Sequence, residues 1–222
     1  MADGKKNVNF RRKNLFIWRE PYMEAQKKGL TIKDLVTTGI FVALLTVAMQ
    51  IGGIPFGINP ATTFYIPVGA AIFAGPVYLL LIAKVTKPGS LTITGILLGI
   101  LYFVLGMHWA MDLGLVIGGI LADIIAGVKK YRSSTLNIVA YAVQCLGFTG
   151  SYIVYAINPT AWAASMLESG GATESYLETM ASAYSPMTMV IMFAGTIIVA
   201  GLSGLAGKKL LKKQFEKAGI TA

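Results

Sequence analysis

The sequence predicts an all-α integral membrane protein, a compact bundle of six transmembrane helices with the N and C termini cytoplasmic. Three observations carry that expectation. Of 222 residues, 55% are hydrophobic and only 13% charged, whereas a soluble domain carries about 25% charged residues. The apolar residues gather in long runs rather than in amphipathic stripes. Finally, every lysine and arginine falls before, after or in alternate gaps between those runs.

A helix crosses a bilayer core with about 20 apolar residues. Six runs meet that need, roughly 34–54, 61–83, 90–107, 110–128, 135–157 and 187–207. Their length and uniform apolarity exclude the alternating strands of a barrel. Ahead of them, residues 1–30 form a basic cytoplasmic or interfacial segment, and 213–222 a cytoplasmic tail, leaving 31–212 as the membrane domain. The first thirty residues lack an apolar core followed by a small-residue cleavage site, so the first run reads as a retained span. Segment 10–28 mixes Phe10, Phe16, Ile17 and Trp18 with charges; it reads either as a helix along the membrane surface or as a basic tail.

Charge orients the bundle. Lys5 through Lys33 precede or open the first run, and Lys84 and Lys87 lie between the second and third. Lys129, Lys130 and Arg132 lie between the fourth and fifth, and Lys208 through Lys217 follow the sixth. Together these are all 19 basic residues, and gaps 55–60, 108–109 and 158–186 hold none. The positive-inside rule therefore puts both ends in the cytoplasm. The net charge of +9 serves orientation and contact with anionic headgroups, which argues against a nucleic-acid partner. One cysteine, Cys145, excludes an intrachain disulfide, and one histidine, His108, excludes a histidine-rich metal centre. No cofactor is implied.

Within the runs, Gly39 and Ala43 share one face of the first helix, where small side chains admit a close neighbour. The stretch GGIPFGINPATTFY is rich in Gly and Pro and free of charge. Gly52, Gly53, Pro55, Gly57 and Pro60 suggest a non-helical path there, serving as a ligand cap or a plain connector. Pro67 and Pro76 are expected to bend or break the second helix. After the Pro88-Gly89 turn, Ser90 or Thr92 is placed to cap the third helix. His108, Trp109 and Asp112 offer a hydrogen-bonding group, a ring and a costly acid. Trp109 also suits the interfacial belt, and Asp112 a helix N-terminus. Asp123 reads as structural, paired with Lys129, Lys130 or another span. Gln144, Ser151, Tyr155 and Asn158 form a polar stripe that faces either a cavity or a neighbouring helix. The segment 158–186 reads as a lid or a passive hairpin, with Ser175-x-x-Glu178 resembling a capping box.

Taken in order, GIFVALLTVA, the charge-free Gly/Pro loop, KVTKPGSLTITGILLGILYFVLG and HWAMDLGLVIGGILADIIAG resemble the S components of energy-coupling factor (ECF) transporters. The likeness is greatest to the MptD or Trep_Strep group and covers about residues 30–212. It implies a multi-pass protein of the bacterial plasma membrane that binds a vitamin or similar micronutrient from outside. Such a protein is not an enzyme; it works with a transmembrane coupling subunit and two ABC ATPases. In the family, a small-residue motif on the first helix meets the coupling subunit. Gly39 and Ala43 match it best here, though the usual two alanines three residues apart are not literally present. The family binds substrate through external loops and the outer parts of later helices. That implies Asn59, His108, Trp109, Asp112, Tyr152, Tyr155, Asn158 and Trp162 as substrate contacts, with Gln144 added from the polar stripe. The sequence holds no G-x-x-x-x-G-K-[ST] motif, so ATP hydrolysis is assigned to partner subunits. Two other classes stand beside this one. A stand-alone secondary transporter would use embedded charge, here Asp112 and Asp123. A membrane enzyme would have a thin catalytic kit.

Overall fold

The computed structural model describes residues 29–217. Segment 10–28 lies outside the described residues. Ten α-helices run through the described chain: α1 (Ile32–Ile58), α2 (Ile66–Lys84), α3 (Ser90–Val104), α4 (Trp109–Gly127), α5 (Ser134–Leu146), α6 (Gly150–Ile157), α7 (Pro159–Glu168), α8 (Glu174–Ala183), α9 (Pro186–Leu210) and α10 (Lys212–Lys217). Two 3₁₀ turns, Pro60–Tyr65 and Gly147–Thr149, join α1 to α2 and α5 to α6. Five segments are long and apolar enough to cross a membrane; α5 and α6 together make one of them. The sixth apolar helix, α3, has only 15 residues. The six expected runs are thus all present as helices, with one shorter than a standard span.

The helices close into a ring. α1 packs on α2, α2 on α9, α9 on α5, α5 on α4, and α4 on α3, which returns to α1; α2 also touches α5. Backbones approach closely where glycines face each other. A Cβ on Gly95 would sit 2.7 Å from Gly119 Cα, so α3 and α4 need glycine at their crossing. The outward faces remain apolar: Ile40, Leu44, Val47 and Ile51 on α1, and Ile198, Leu202 and Leu205 on α9, are all at least half exposed. Only lipid can cover such surfaces on a folded monomer without penalty. Gly39 and Ala43 lie on this outer surface too. A Cβ on Gly39 would meet nothing within 4 Å, and Ala43 is exposed.

Prolines behave differently from expectation. The GGIPFGIN stretch does not leave the helix; α1 continues through Pro55 to Ile58 and ends at Asn59. α2 also continues through Pro76, while Pro67 sits in its first turn, where the missing N–H is not needed. Pro76 deprives the Ile72 carbonyl of its usual donor. Ser203 on α9 supplies one, with Oγ donating to Ile72 O at 2.7 Å and accepting from Gly75 N at 3.2 Å. A neighbouring span thus repairs the helix, the means by which proline is tolerated in lipid.

The end that carries the basic loops is tied by polar bonds. Thr31 and Asp34 form a capping box that opens α1. Asp34 pairs with Lys87 at 2.7 Å, which pins α1 to the α2–α3 turn. Gly89 adopts φ +92, a left-handed turn suited to glycine. Neither Ser90 nor Thr92 caps α3. Instead the Asp123 carboxylate of α4 accepts from Gly89 N at 2.7 Å, Leu91 N at 3.2 Å and the Thr92 hydroxyl at 3.3 Å. The Tyr131 hydroxyl donates to it as well, at 3.0 Å, and burial beside that carboxylate raises the Tyr131 pKa. Asp123 is therefore structural, serving another helix's N-terminus rather than Lys129 or Lys130.

Candidate functional site

At the opposite end the bundle encloses a cavity of about 320 Å³. Its walls come from five parts of the chain: the C-terminal half of α1, the first 3₁₀ turn, the ends of α3 and α4 that meet near His108, the α5–α6 junction, and α7 with the start of α8. Local sequence explains how the covering pieces are held. Segment 158–186 is two short helices rather than an irregular loop. Asn158 Oδ1 accepts from Ala161 N at 3.0 Å to start α7, with Pro159 in its first turn. Thr173, not Ser175, caps α8; Gly170, at φ +69, turns the chain between them.

Each covering helix is fastened by one aromatic side chain. Trp162 Nε1 donates to Ser151 Oγ at 2.9 Å. Its ring stacks on His108 at 5.9 Å and meets Tyr155 edge-on at 5.2 Å. From α8, the Tyr176 hydroxyl donates to Gly57 O at 2.8 Å. Tyr152 donates to Thr63 O at 2.7 Å and fixes the 3₁₀ turn. Behind these, Phe64, Tyr155 and Tyr184 complete an aromatic cluster, with ring centres 5.2 to 5.5 Å apart, separate from the main core.

The polar atoms left over define the chemistry. His108 caps α4, its Nδ1 accepting from Ala110 N at 3.2 Å. A neutral imidazole that accepts at Nδ1 carries its proton at Nε2. Burial pushes the His108 pKa down from its usual 6.5, so the ring is neutral at pH 7. The Tyr102 hydroxyl donates weakly to Gln50 Oε1 at 3.5 Å, which leaves the Gln50 amide N–H groups as donors. No Lys, Arg, Asp or Glu lines the cavity among the described residues. Nor do three of His, Cys, Asp and Glu gather there into a metal-holding group.

Of the nine predicted substrate residues, the structure brings three to the cavity wall: His108, Tyr152 and Trp162. The other six sit elsewhere. Asn59 and Asn158 spend their side chains as helix caps. Trp109 points outward, 55% exposed, as an interfacial residue does. Tyr155 lies in the aromatic cluster behind Trp162. Gln144 is fully buried and donates to Leu115 O at 3.1 Å, joining α5 to α4. Asp112 is buried in α4, and neither carboxylate oxygen has a hydrogen-bond partner among the described residues. Sequence reading missed Gln50, Tyr102, Met111, Phe148 and Met166. Gln50 carried a usable signal, a polar side chain inside an apolar run. The others look like ordinary core residues until the helices are assembled.

Residues 32–217 match the family model described as "Hypothetical bacterial integral membrane protein (Trep_Strep)". The chain belongs to this family. Neither the curated proteins nor the solved structures yield a match. The matched region of this Trep_Strep protein begins at the first residue of α1 and ends with α10. It therefore includes every wall of the cavity.

Proposed function

We propose that this chain is the substrate-binding subunit of an ECF-type importer in the bacterial plasma membrane. It captures a vitamin or similar small micronutrient from outside. It delivers that cargo by associating with a transmembrane coupling subunit and two ABC ATPases, which hydrolyse the ATP; the chain itself is not an enzyme. One observation carries the reading: a covered aromatic cavity at the end of the bundle without basic loops, the side that the positive-inside rule assigns to the exterior. A pocket of this size and lining suits a small molecule. The outward Gly39 and Ala43 on α1 add support, since small residues facing lipid rather than a neighbouring span leave room for another membrane helix.

A second reading is a stand-alone secondary transporter, favoured by Asp112. An embedded acid whose oxygens lack partners is a common feature of ion-coupled carriers. Copurification from membranes separates the two. The first reading expects the tagged chain to retain a coupling subunit and two ATPases, and Ala43→Trp to lose them while the purified variant melts as the parent does. Uptake driven by an ion gradient in vesicles holding only this chain supports the second reading and removes the first.

A further inference from the structure

The cavity's lining narrows the class of compound it takes. Six ring-bearing side chains contribute, Tyr102, His108, Phe148, Tyr152, Trp162 and Tyr176. Aromatic walls favour a flat π-system, through ring contacts that aliphatic compounds cannot return. Met107, Met111 and Met166 contribute further apolar wall beside Ile54, Ile58 and Ile66, and thioethers pack well on aromatic edges. A charged ligand would enter a site with no opposite charge among the described lining residues. Losing its hydration there is costly, and although ring faces attract a cation, the free N–H groups of Gln50 and His108 repel one.

Hydrogen bonding sharpens the class further. Several lining polar groups are already engaged with protein: Ser151 with Trp162, Tyr176 with Gly57, Tyr152 with Thr63. Gln50 and His108 each keep an N–H with no protein acceptor among the described residues, while the Ser151 and Thr63 hydroxyls can give or take a hydrogen bond. His108 holds its proton at Nε2 because Nδ1 accepts from Ala110 N. Gln50 keeps its amide N–H groups because Oε1 accepts from Tyr102. Donors select acceptors. We propose that the cavity binds an uncharged, planar heteroaromatic compound that presents acceptor atoms, such as ring nitrogen or carbonyl oxygen, to Gln50 and His108. This inference rests on the cavity being the substrate site described above.

The test uses the full chain in lipid nanodiscs at pH 7.5 and four probes. Quinoxaline-2-carboxamide is flat, neutral and rich in acceptors. Quinoxaline-2-carboxylate and N-methylquinoxalinium share its ring but carry opposite charges, and cyclohexanecarboxamide shares its amide but lacks the ring. Binding is read by tryptophan fluorescence and by thermal shift. The neutral quinoxaline should bind at least about tenfold more tightly than the other three. Gln50→Leu and His108→Phe should each weaken it about fivefold, the effect of one lost hydrogen bond. No saturable binding of the neutral quinoxaline, or equal binding of any other probe, overturns the inference. Unchanged affinity in a folded Gln50→Leu chain overturns the assignment of donors. Binding is measured without partner subunits, so this test and the copurification experiment fail independently.

Discussion

The two ends of the bundle are held by different chemistry. At the basic end, charge and backbone meet directly. Asp34 grips Lys87, and one carboxylate, Asp123, satisfies two backbone N–H groups and two hydroxyls from α3, its preceding turn and Tyr131. At the cavity end, rings contact rings, and α7 and α8 are each fastened by a single aromatic hydrogen bond. A network of bonds to one half-buried carboxylate is cooperative and stiff. Ring contacts with one hydrogen bond per element open at low cost. The molecule is thus anchored at the end proposed to face its partners and pliable at the end proposed to admit cargo.

Three experiments bear on that contrast, in falling order of effect. Trp162→Ala removes the ring that stacks on His108 and the fastening of α7. Affinity for quinoxaline-2-carboxamide should fall about a hundredfold, about 3 kcal/mol, measured by titration in nanodiscs. If stability fell as far as affinity, α7 would be part of the frame and the contrast would fail. Asp123→Ala should act in the opposite sense, costing about 2 kcal/mol of stability by uncapping α3. Urea unfolding of detergent-solubilised protein measures it, and folded Asp123→Ala should still bind the probe normally.

The smallest effect comes from pH. Burial lowers the His108 pKa below 6.5, so the neutral ring is favoured in the folded protein. Its contribution is complete above about 6.5 and is lost as pH falls through the lower folded value. Protonation would also set a second donor against Ala110 N–H. The cavity lining offers no carboxylate to compensate among the described residues; its other ionisable groups are tyrosines. Neutral-probe affinity should therefore drop by about fivefold between pH 7.5 and 5, and a His108→Phe chain should show a shallower profile.

Much of the architecture is legible in the sequence because lipid imposes a simple rule: apolar runs become helices. All six runs appear, and the basic loops share one end. The failures are local and have a common cause. Gly52, Gly53, Pro55 and Gly57 suggest a loop by their water-phase propensities, yet α1 runs through them, since an unpaired backbone is worse in lipid than a poor helix former. Pro76 reads as a break, but its repair comes from Ser203, far along the chain. Site residues were legible where rare side chains stood near a span end, as with His108 and Trp162. Asn59 and Asn158 satisfied the same criterion and proved to be caps, because asparagine before proline is equally good at starting helices. Tyr102 and Phe148 became walls only through the ring closure of α3, α4 and α5–α6, which no local pattern encodes.

The brevity of α3 has a consequence for the surrounding bilayer. Fifteen residues rise about 22 Å, against a hydrocarbon thickness of about 30 Å. Acyl chains beside α3 compress to meet it, whereas those beside the 25-residue α9 need not. The protein therefore carries a lopsided annulus, thin on one flank and full on the other, and lipids with short tails should collect at the thin flank.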